Sequence, residues 1–343
     1  VIDDPKYSSE SLIVVNAGNF TYSNASITLW NKENGASNEV FFKANDFKLG
    51  DVAQSATVHG NQTWIVVNNS NVIFIVDTET FKEVGRIDEG LTSPRYVHFV
   101  SDNYAYVTQM YCNQIAVVNT KTLRIIGYMN IPVKEGSIGV GSSEEIVQIG
   151  DDAYVNLWSY DNRIVVVDTK SNNVTSEINV GLQPYSIAKD YDNNLWVLCD
   201  GGGWAENPVG YEAPVLMCLD PWSRNVKKML SLPLGDSVSK LAVNGDGTKL
   251  YFIQNHYAED WSCTSQIIEV DARSDNDWSS AVVTSTDKQF YSLTVSPITG
   301  DIFVADAVDY SQAGVIYHYS SDGRLQSSFT AGIIPTAYAW VLK

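Results

Sequence analysis

The stretch WIVVNNSNVIFIVDTETFKEVGRI, from Trp64 to Ile87, and the segment PRYVHFV that follows from Pro94 decide the fold. They divide into four short apolar runs separated by polar turns and by one link that carries a proline. Apolar side chains on both faces of a strand indicate that both faces are covered, as when sheets stack on neighbouring sheets. The turn at Asp77 suits a tight connection, because an Asp side chain accepts a backbone hydrogen bond.

The first of these strands recurs along the whole chain, with successive copies starting 41 to 55 residues apart. The seven copies are LIVVNA from Leu12, WIVVNN from Trp64, AYVTQM from Ala105, AYVNLW from Ala153, LWVLCD from Leu195, LYFIQN from Leu250 and IFVADA from Ile302. This spacing is typical of one propeller blade per repeat and not of a helical solenoid. The sequence therefore predicts an all-β protein, a seven-bladed β-propeller.

The strand order also predicts how the ring closes. We name the strand after each Gly- or Pro-bearing link the inner strand, a, so that each blade runs a, b, c, d from the centre outward. The chain then begins at a b strand and ends at an a strand, from Thr336 to Leu342. That last strand is expected to complete the first blade and remove the open sheet edges, so residues 1–343 form a single domain.

Composition limits the class of partner. The 343 residues include 40 acidic and 22 basic side chains, for a formal charge of −18. So acidic a surface repels phosphate backbones, and we expect no nucleic-acid partner. No apolar run reaches the length of a membrane span. The chain starts at Val1 without a leader, and we expect a mature or trimmed chain from which a signal or lipid-anchor segment has been removed.

Cysteine and histidine are too few and too scattered to predict a cross-linked or metal-bound core. The four cysteines (Cys112, Cys199, Cys218 and Cys263) form no CxxC pair and are expected to behave as small buried hydrophobes. The four histidines lie at no zinc-ligand spacing, so no metal site is predicted.

The b–c loops and the d–a links of a propeller share one end of the ring, which we call the loop face. Six of the seven predicted b–c loops carry aromatic residues, a composition that suits a large amphipathic ligand, although any single ring could instead pack between blades. The predicted ligand-binding residues are Tyr22, Arg95, Tyr111, Trp158, Tyr160, Trp204, Tyr211, His256, Tyr257, Trp261 and Tyr310. Further aromatic residues expected at the same end are Phe20, Tyr96, Tyr185, Tyr291 and Tyr338.

No catalytic residue is predicted. Glu144, Glu145, His256 and Asp309 could supply an acid or a base, but they form no recognisable constellation. Glu144 and Glu145 are neighbours on an inner strand, so they should point to opposite faces, which weakens a paired-carboxylate mechanism. The chain is accordingly interpreted as a binding protein and not an enzyme.

The repeat from Trp64 to Val100 resembles the YVTN-type propellers of surface-layer-like proteins, and the resemblance extends over every blade. More narrowly, NAGNF from Asn16, LGDVAQS from Leu49, SPRY from Ser93 and GIIPTAYAW from Gly332 resemble a family of secreted Bacteroidetes propellers. That family includes the cell-surface lipoproteins that capture cobalamin. The resemblance implies a corrinoid bound as ligand on the loop face, an outer-membrane lipoprotein at the cell surface, and a TonB-dependent cobalamin transporter as partner.

Two other functions remain open from the sequence. Tyr and Trp platforms also stack on sugars, so a surface adhesion module for a glycan or a protein is the first alternative. A propeller enzyme of the lyase type is the second, and it requires an acid–base pair near the channel mouth. The fold cannot decide between them, because propellers host many functions.

Overall fold

The computed structural model describes residues 9–134, 141–276 and 278–343, and they form seven four-stranded antiparallel sheets arranged in a ring. The all-β, seven-bladed β-propeller is therefore confirmed. Each predicted b strand lies second from the centre of its own sheet. The repeat decides the fold because each blade buries its apolar faces only when neighbouring blades cover them.

The blades follow the chain in order, and the last strand belongs to the first blade. Blade 1 contains β28 (Pro335–Leu342), β1 (Glu10–Asn16), β2 (Ser26–Asn31) and β3 (Gly35–Ser37), and is followed by the helix α1 (Val40–Asn45). Blade 2 contains β4 (Ala53–His59), β5 (Gln62–Val67), β6 (Val72–Asp77) and β7 (Glu83–Ile87). Blade 3 contains β8 (Pro94–Phe99), β9 (Tyr104–Gln109), β10 (Gln114–Asn119) and β11 (Arg124–Asn130).

The remaining four blades repeat the same order from inner to outer strand. Blade 4 contains β12 (Ser143–Ile149), β13 (Asp152–Leu157), β14 (Arg163–Asp168) and β15 (Asn173–Asn179). Blade 5 contains β16 (Pro184–Lys189), β17 (Leu195–Cys199), β18 (Val215–Leu219) and β19 (Val226–Ser231). Blade 6 contains β20 (Ser237–Val243), β21 (Lys249–Tyr257), β22 (Cys263–Asp271) and β23 (Ser279–Ser285). Blade 7 contains β24 (Phe290–Val295), β25 (Ile302–Asp306), β26 (Ala313–Tyr319) and β27 (Leu325–Ile333).

Ring closure takes place in blade 1, as predicted. Strand β28 pairs antiparallel with β1, so that Ile13 lies opposite Ala339. The same strand is tied to blade 7, because the indole Nε1 of Trp340 donates to Thr294 Oγ1 at 3.0 Å. The last strand therefore links the first and last blades.

The apolar core lies between the blades. The described residues form seven clusters of buried side chains, and each joins two neighbouring blades. Trp64 of blade 2, for example, is fully buried in one cluster with Val97 of blade 3. This arrangement explains why the b and c strands are apolar on both faces.

An asparagine close to the end of several b strands has a structural role. The side-chain amides of Asn68, Asn156 and Asn255 each donate to the carbonyl of the first inner-strand residue of the next blade, at 3.0, 2.7 and 3.1 Å. These bonds satisfy backbone acceptors between blades, where a sheet ladder cannot reach. The polar end of the repeat thus fixes the spacing of adjacent blades.

The c–d turns are also built as predicted. Asp77, Asp168 and Asp220 each accept backbone N–H groups within their own turn, from Thr80 at 2.9 Å, Lys170 at 3.0 Å and Ser223 at 2.8 Å. Blade 6 differs from the expectation, because its b and c strands extend to Tyr257 and from Cys263. His256 and Tyr257 therefore lie on a long hairpin and not in a loop.

Candidate functional site

Every inner strand contains one extra residue near the end that meets the loop face. In β16, for example, Pro184 pairs with Cys199 and Ser186 with Leu198, which leaves Tyr185 without a partner. Such a bulge redirects the unpaired side chain. The residues at the seven bulges, which we call the channel ring, are Gln54, Arg95 with Tyr96, Glu144 with Glu145, Tyr185, Lys240 with Leu241, Tyr291 and Thr336.

Arg95 links three blades within the channel ring. Its Nε donates to Glu144 Oε2 at 2.7 Å, and its Nη1 donates to Gln54 Oε1 at 2.7 Å. Ser142 Oγ donates to the other carboxylate oxygen of Glu144 at 2.6 Å. The Arg95–Glu144 pair is thus buried with hydrogen bonds on both partners, which is the condition under which a buried ion pair is tolerated.

Glu145 faces the opposite side of blade 4. Its Oε2 accepts from Ser186 Oγ at 2.6 Å and from the Ile187 amide at 3.0 Å, both in blade 5. The two adjacent glutamates therefore contact blades 3 and 5 separately, as expected of neighbours on a strand. Burial raises the pKa of Glu145, although the hydrogen bond from Ser186 and the positive charge of Lys240 oppose that rise.

The Glu145→Gln variant is expected to gain stability over the wild type as pH rises. A carboxyl whose pKa is higher in the folded state favours folding below its unfolded pKa, and this contribution is lost as pH rises through the folded pKa. Gln carries no charge at any pH. The melting-temperature difference between the variant and the wild type should therefore grow as pH rises above about 4.

The exposed Glu89→Gln serves as the matched control and should show no such trend. A difference for Glu145→Gln that is constant with pH, or that falls, would contradict the burial of an ionisable carboxyl at this position.

The aromatic residues of the loop face form an exposed rim around the channel ring. Trp261 is 83% exposed, Tyr22 is 72% exposed and Tyr111 is 66% exposed. The other rim residues with large exposed areas are Phe20, Trp204, Tyr211 and Tyr310. Exposed aromatic residues also occur elsewhere, as at Trp222, but they are most numerous at this end, and grouped exposed apolar area marks an interaction site.

Four rim aromatics have a backbone conformation that aromatic residues rarely adopt. The φ angles of Tyr111, Tyr160, Trp261 and Tyr310 are 61°, 59°, 65° and 61°. Each lies in the left-handed region, which costs a bulky residue about 1–2 kcal/mol and suits Gly or Asn. In blade 2 the equivalent turn position is occupied by Asn71. The backbone amides of Asn71, Trp261 and Tyr310 each donate a hydrogen bond to the carbonyl oxygen three residues earlier in the chain. Strain of this kind clusters at binding sites, although Phe81 and Leu123 also show it, in c–d turns at the other end of the ring.

The rim joins the channel ring through edge-to-face aromatic pairs. Trp158 meets Tyr185 with ring centroids 5.7 Å apart, and Tyr310 meets Tyr291 at 5.7 Å. Tyr185 and Tyr291 belong to the channel ring, whereas Trp158 and Tyr310 belong to the rim. The aromatic surface is therefore continuous from the outer loops to the mouth of the channel.

Trp158 and Trp204 differ in their environments. The Trp158 Nε1 donates to Asp200 Oδ2 at 2.8 Å, and Gln183 donates to the same carboxylate. This indole therefore ties the b–c loop of blade 4 to that of blade 5. Burial raises the pKa of Asp200, opposed by the hydrogen bond from Trp158. Trp204 instead is 44% exposed and touches Tyr160 edge-on at 6.4 Å.

The hairpin of blade 6 carries the remaining predicted residues. His256 Nδ1 lies 2.7 Å from Asp236 Oδ1, and the Asp236 side chain is only 2% exposed whereas that of His256 is 59% exposed. The Tyr257 hydroxyl accepts from Gln289 at 2.9 Å. The ring of His256 is thus oriented by a buried carboxylate, and Trp261 lies exposed at the tip of the same hairpin.

The structure therefore separates the predicted residues into groups. Arg95 belongs to the channel ring, and Trp158, Tyr160, Trp204 and Tyr310 lie in the aromatic pairs. Predicted residues outside these pairs are Tyr22, Tyr111, Tyr211, His256, Tyr257 and Trp261, which lie elsewhere on the loop-face segments. Asp309 caps its own turn by accepting from the Ser311 and Gln312 amides, both at 2.9 Å.

Lys240 was missed by the sequence interpretation. Six of the seven inner strands have a polar or titratable second residue, whereas Lys240 is the fourth residue of β20 and does not follow that pattern. Those six residues are Gln54, Arg95, Glu144, Tyr185, Tyr291 and Thr336. A cavity of about 330 Å³ in the channel is lined by Lys240 together with Tyr96, Glu145, Thr336 and Tyr338, among others.

Cysteines do not contribute a linkage or a metal centre to the described residues. All four are free, with Cys199 and Cys218 buried as predicted, whereas Cys112 and Cys263 are only partly buried, contrary to prediction. Within residues 9–134, 141–276 and 278–343, no group of three His, Cys, Asp or Glu side chains has the arrangement to hold a metal ion. Across those same ranges, no helix has the length and hydropathy needed to cross a bilayer.

A ring of seven blades, with an aromatic rim above a polar channel mouth, places the protein among the seven-bladed β-propellers with an elaborated loop face. Residues 10–329 match the family described as Domain of unknown function (DUF5074), and the chain belongs to that family. No curated protein matches the chain at a significant level.

Solved structures share the fold at low sequence identity. The periplasmic gluconolactonase of Pseudomonas aeruginosa is 11% identical with a TM-score of 0.72, over 97% of this chain and 99% of that one. Hydrazine synthase of Kuenenia stuttgartiensis is 14% identical with a TM-score of 0.68, over 83% and 88% of the two chains. A quinonprotein alcohol dehydrogenase-like protein of Bacteroides thetaiotaomicron is 12% identical with a TM-score of 0.68, over 98% and 78%. Because proteins with such different names share this architecture, the similarity shows only the fold of this chain.

Proposed function

We propose that the chain is a binding protein that captures a corrinoid, cobalamin or a close relative, on its loop face. The observation that supports this most is the strained aromatic rim, with Tyr111, Tyr160, Trp261 and Tyr310 in the left-handed region. A turn that needed only to connect two strands would be more stable with Asn or Gly. Aromatic side chains kept at such a cost are explained by contact with a ligand.

The chemistry of a corrinoid matches the composition of this face. The macrocycle is broad and apolar on its faces and carries amides around its edge. Exposed rings such as Trp204 and Trp261 supply flat apolar area, and polar side chains on other loops of the same face, such as Asn19 and Gln312, offer hydrogen bonds to the amides. The resemblance noted in the sequence supports the same ligand.

The proposal extends to location and partner by that resemblance. The protein would act at the cell surface as an outer-membrane lipoprotein and deliver the vitamin to a TonB-dependent transporter. We propose capture without catalysis.

A thermal-shift panel separates this proposal from its alternatives. A ligand at 100 times its Kd adds about 2.7 kcal/mol, so cyanocobalamin should raise the melting temperature by about 3 °C or more. A shift with glycans but not with the vitamin would instead support an adhesion module. Hydrolysis of D-glucono-δ-lactone by the purified protein would support an enzyme.

A further inference from the structure

Lys240 differs from its counterparts in the channel ring. It occupies the bulge of β20 with a φ of 57°, whereas Gln54, Arg95, Glu144, Tyr185, Tyr291 and Thr336 all have negative φ angles. A long side chain in the left-handed region is strained, and strain clusters at ligand-binding positions. The position therefore calls for an explanation beyond the geometry of the blade.

The ammonium group of Lys240 also lacks a direct partner. Among the described residues it makes no hydrogen bond or ion pair, and its nearest described aromatic contact is the Tyr185 ring, with Nζ 5.7 Å from the centroid. Arg95, the other cation of the ring, is held by Glu144 and Gln54. A partly buried cation without a partner is costly unless something else supplies the opposite charge.

The neighbouring carboxylate of Glu145 favours the charged form of Lys240 from a distance but makes no ion pair with it. Glu145 lines the same cavity, but its Oε2 is engaged by Ser186 and Ile187, and it lies beyond ion-pair distance of Lys240. Burial disfavours the charge of Lys240, but Tyr96 and Glu145 more than offset this, so the pKa of Lys240 is raised and the group stays protonated.

A second donor faces the same space. The Tyr96 hydroxyl accepts from Gln54 Nε2 at 3.3 Å, so its own proton is left for another acceptor. Burial raises the pKa of Tyr96 to about 12, which keeps that proton in place at neutral pH. Lys240 and Tyr96 thus present two donors to one cavity of about 330 Å³.

We propose that the channel mouth binds a small oxyanion, a carboxylate or a phosphate, held by the Lys240 ammonium and the Tyr96 hydroxyl. Charge-assisted hydrogen bonds to an oxyanion satisfy both donors. The Lys240 charge supplies the attraction in a molecule of net charge −18, whose field, including the Glu145 carboxylate of the same cavity, opposes an anion. The proposal does not rest on the corrinoid assignment.

The oxyanion has two sources, a free small anion or an anionic group of the larger ligand on the loop face. The test is calorimetric titration of the whole protein with inorganic phosphate and with D-gluconate. Saturable binding of at least one is expected, and Lys240→Gln should weaken it by about tenfold or more. Lys240→Arg, which keeps the charge, should retain most of the binding.

Lys121→Gln is the matched control, because it removes the same charge from an exposed turn on the opposite end of the propeller. It should leave binding unchanged. Failure of both anions to bind the wild type, or equal binding by Lys240→Gln with its melting temperature preserved, would overturn the proposal.

Repeating the phosphate or gluconate titration after saturation with cyanocobalamin distinguishes the two sources. Loss of anion binding assigns the site to a group of the larger ligand, and retention assigns it to a free anion. If cyanocobalamin does not bind at all, the first titration still decides the oxyanion site.

Discussion

The double variant Trp204→Ala, Trp261→Asn is expected to bind cyanocobalamin about a thousandfold more weakly than the wild type. Both indoles are exposed on the loop face. An aromatic anchor contributes about 2 kcal/mol or more to binding, so the loss of two should raise the Kd about a thousandfold. The fold should be unharmed. Asn relieves the left-handed strain at position 261, so the melting temperature should stay the same or rise.

This choice of residues follows from the structure. Trp158 is also among the predicted ligand-binding residues, but it is left unchanged because it is bonded to Asp200 and packs on Tyr185. Its replacement would disturb the b–c loops of blades 4 and 5, so a loss of affinity could not be separated from a loss of structure.

Trp222 provides a matched control. It is 66% exposed but lies in the c–d turn of blade 5, on the opposite end of the propeller. Trp222→Ala should bind cyanocobalamin as tightly as the wild type. Equal affinity of the double variant and the wild type would place the ligand elsewhere on the molecule.

Deletion of residues 335–343 is expected to abolish the cooperative fold. The deletion removes β28, exposes the edge of β1, and uncovers two of the clusters between blades, which contain Ala339 and Val341 or contact Tyr338 and Trp340. The stability of a domain is about 5–15 kcal/mol, and loss of a whole inner strand exceeds that margin. Circular dichroism should show no sharp thermal transition.

A synthetic peptide of residues 335–343 should restore the transition when added in excess, because strand addition re-forms the β1–β28 ladder. A truncated protein that melts cooperatively near the wild-type temperature without the peptide would show that closure by β28 is dispensable.

The blade count, the strand order and the closing strand could all be predicted from the sequence. They follow from one repeated apolar pattern, and the position of that pattern at both ends of the chain fixes the closure. The b-strand asparagines carry a visible signal too, although their bonds to Pro94 and Pro184 in the next blade become evident only in three dimensions.

The site was less predictable for two physical reasons. A bulge depends on the pairing of two strands, so the extra residue at Lys240 cannot be recognised within one strand. The left-handed conformation of Trp261 opposes its propensity, and only comparison with Asn71 at the same turn position in blade 2 points to it. Functional positions are where local propensity and observed structure disagree.

The most direct test of the central claim is calorimetric titration of the wild-type protein with cyanocobalamin at neutral pH. We expect saturable one-to-one binding with a Kd in the nanomolar range or tighter, about −12 kcal/mol or more favourable. No heat and no change in the absorption of the vitamin at about 100 µM, where even a binding free energy of about −5.5 kcal/mol would be detected, would contradict corrinoid capture.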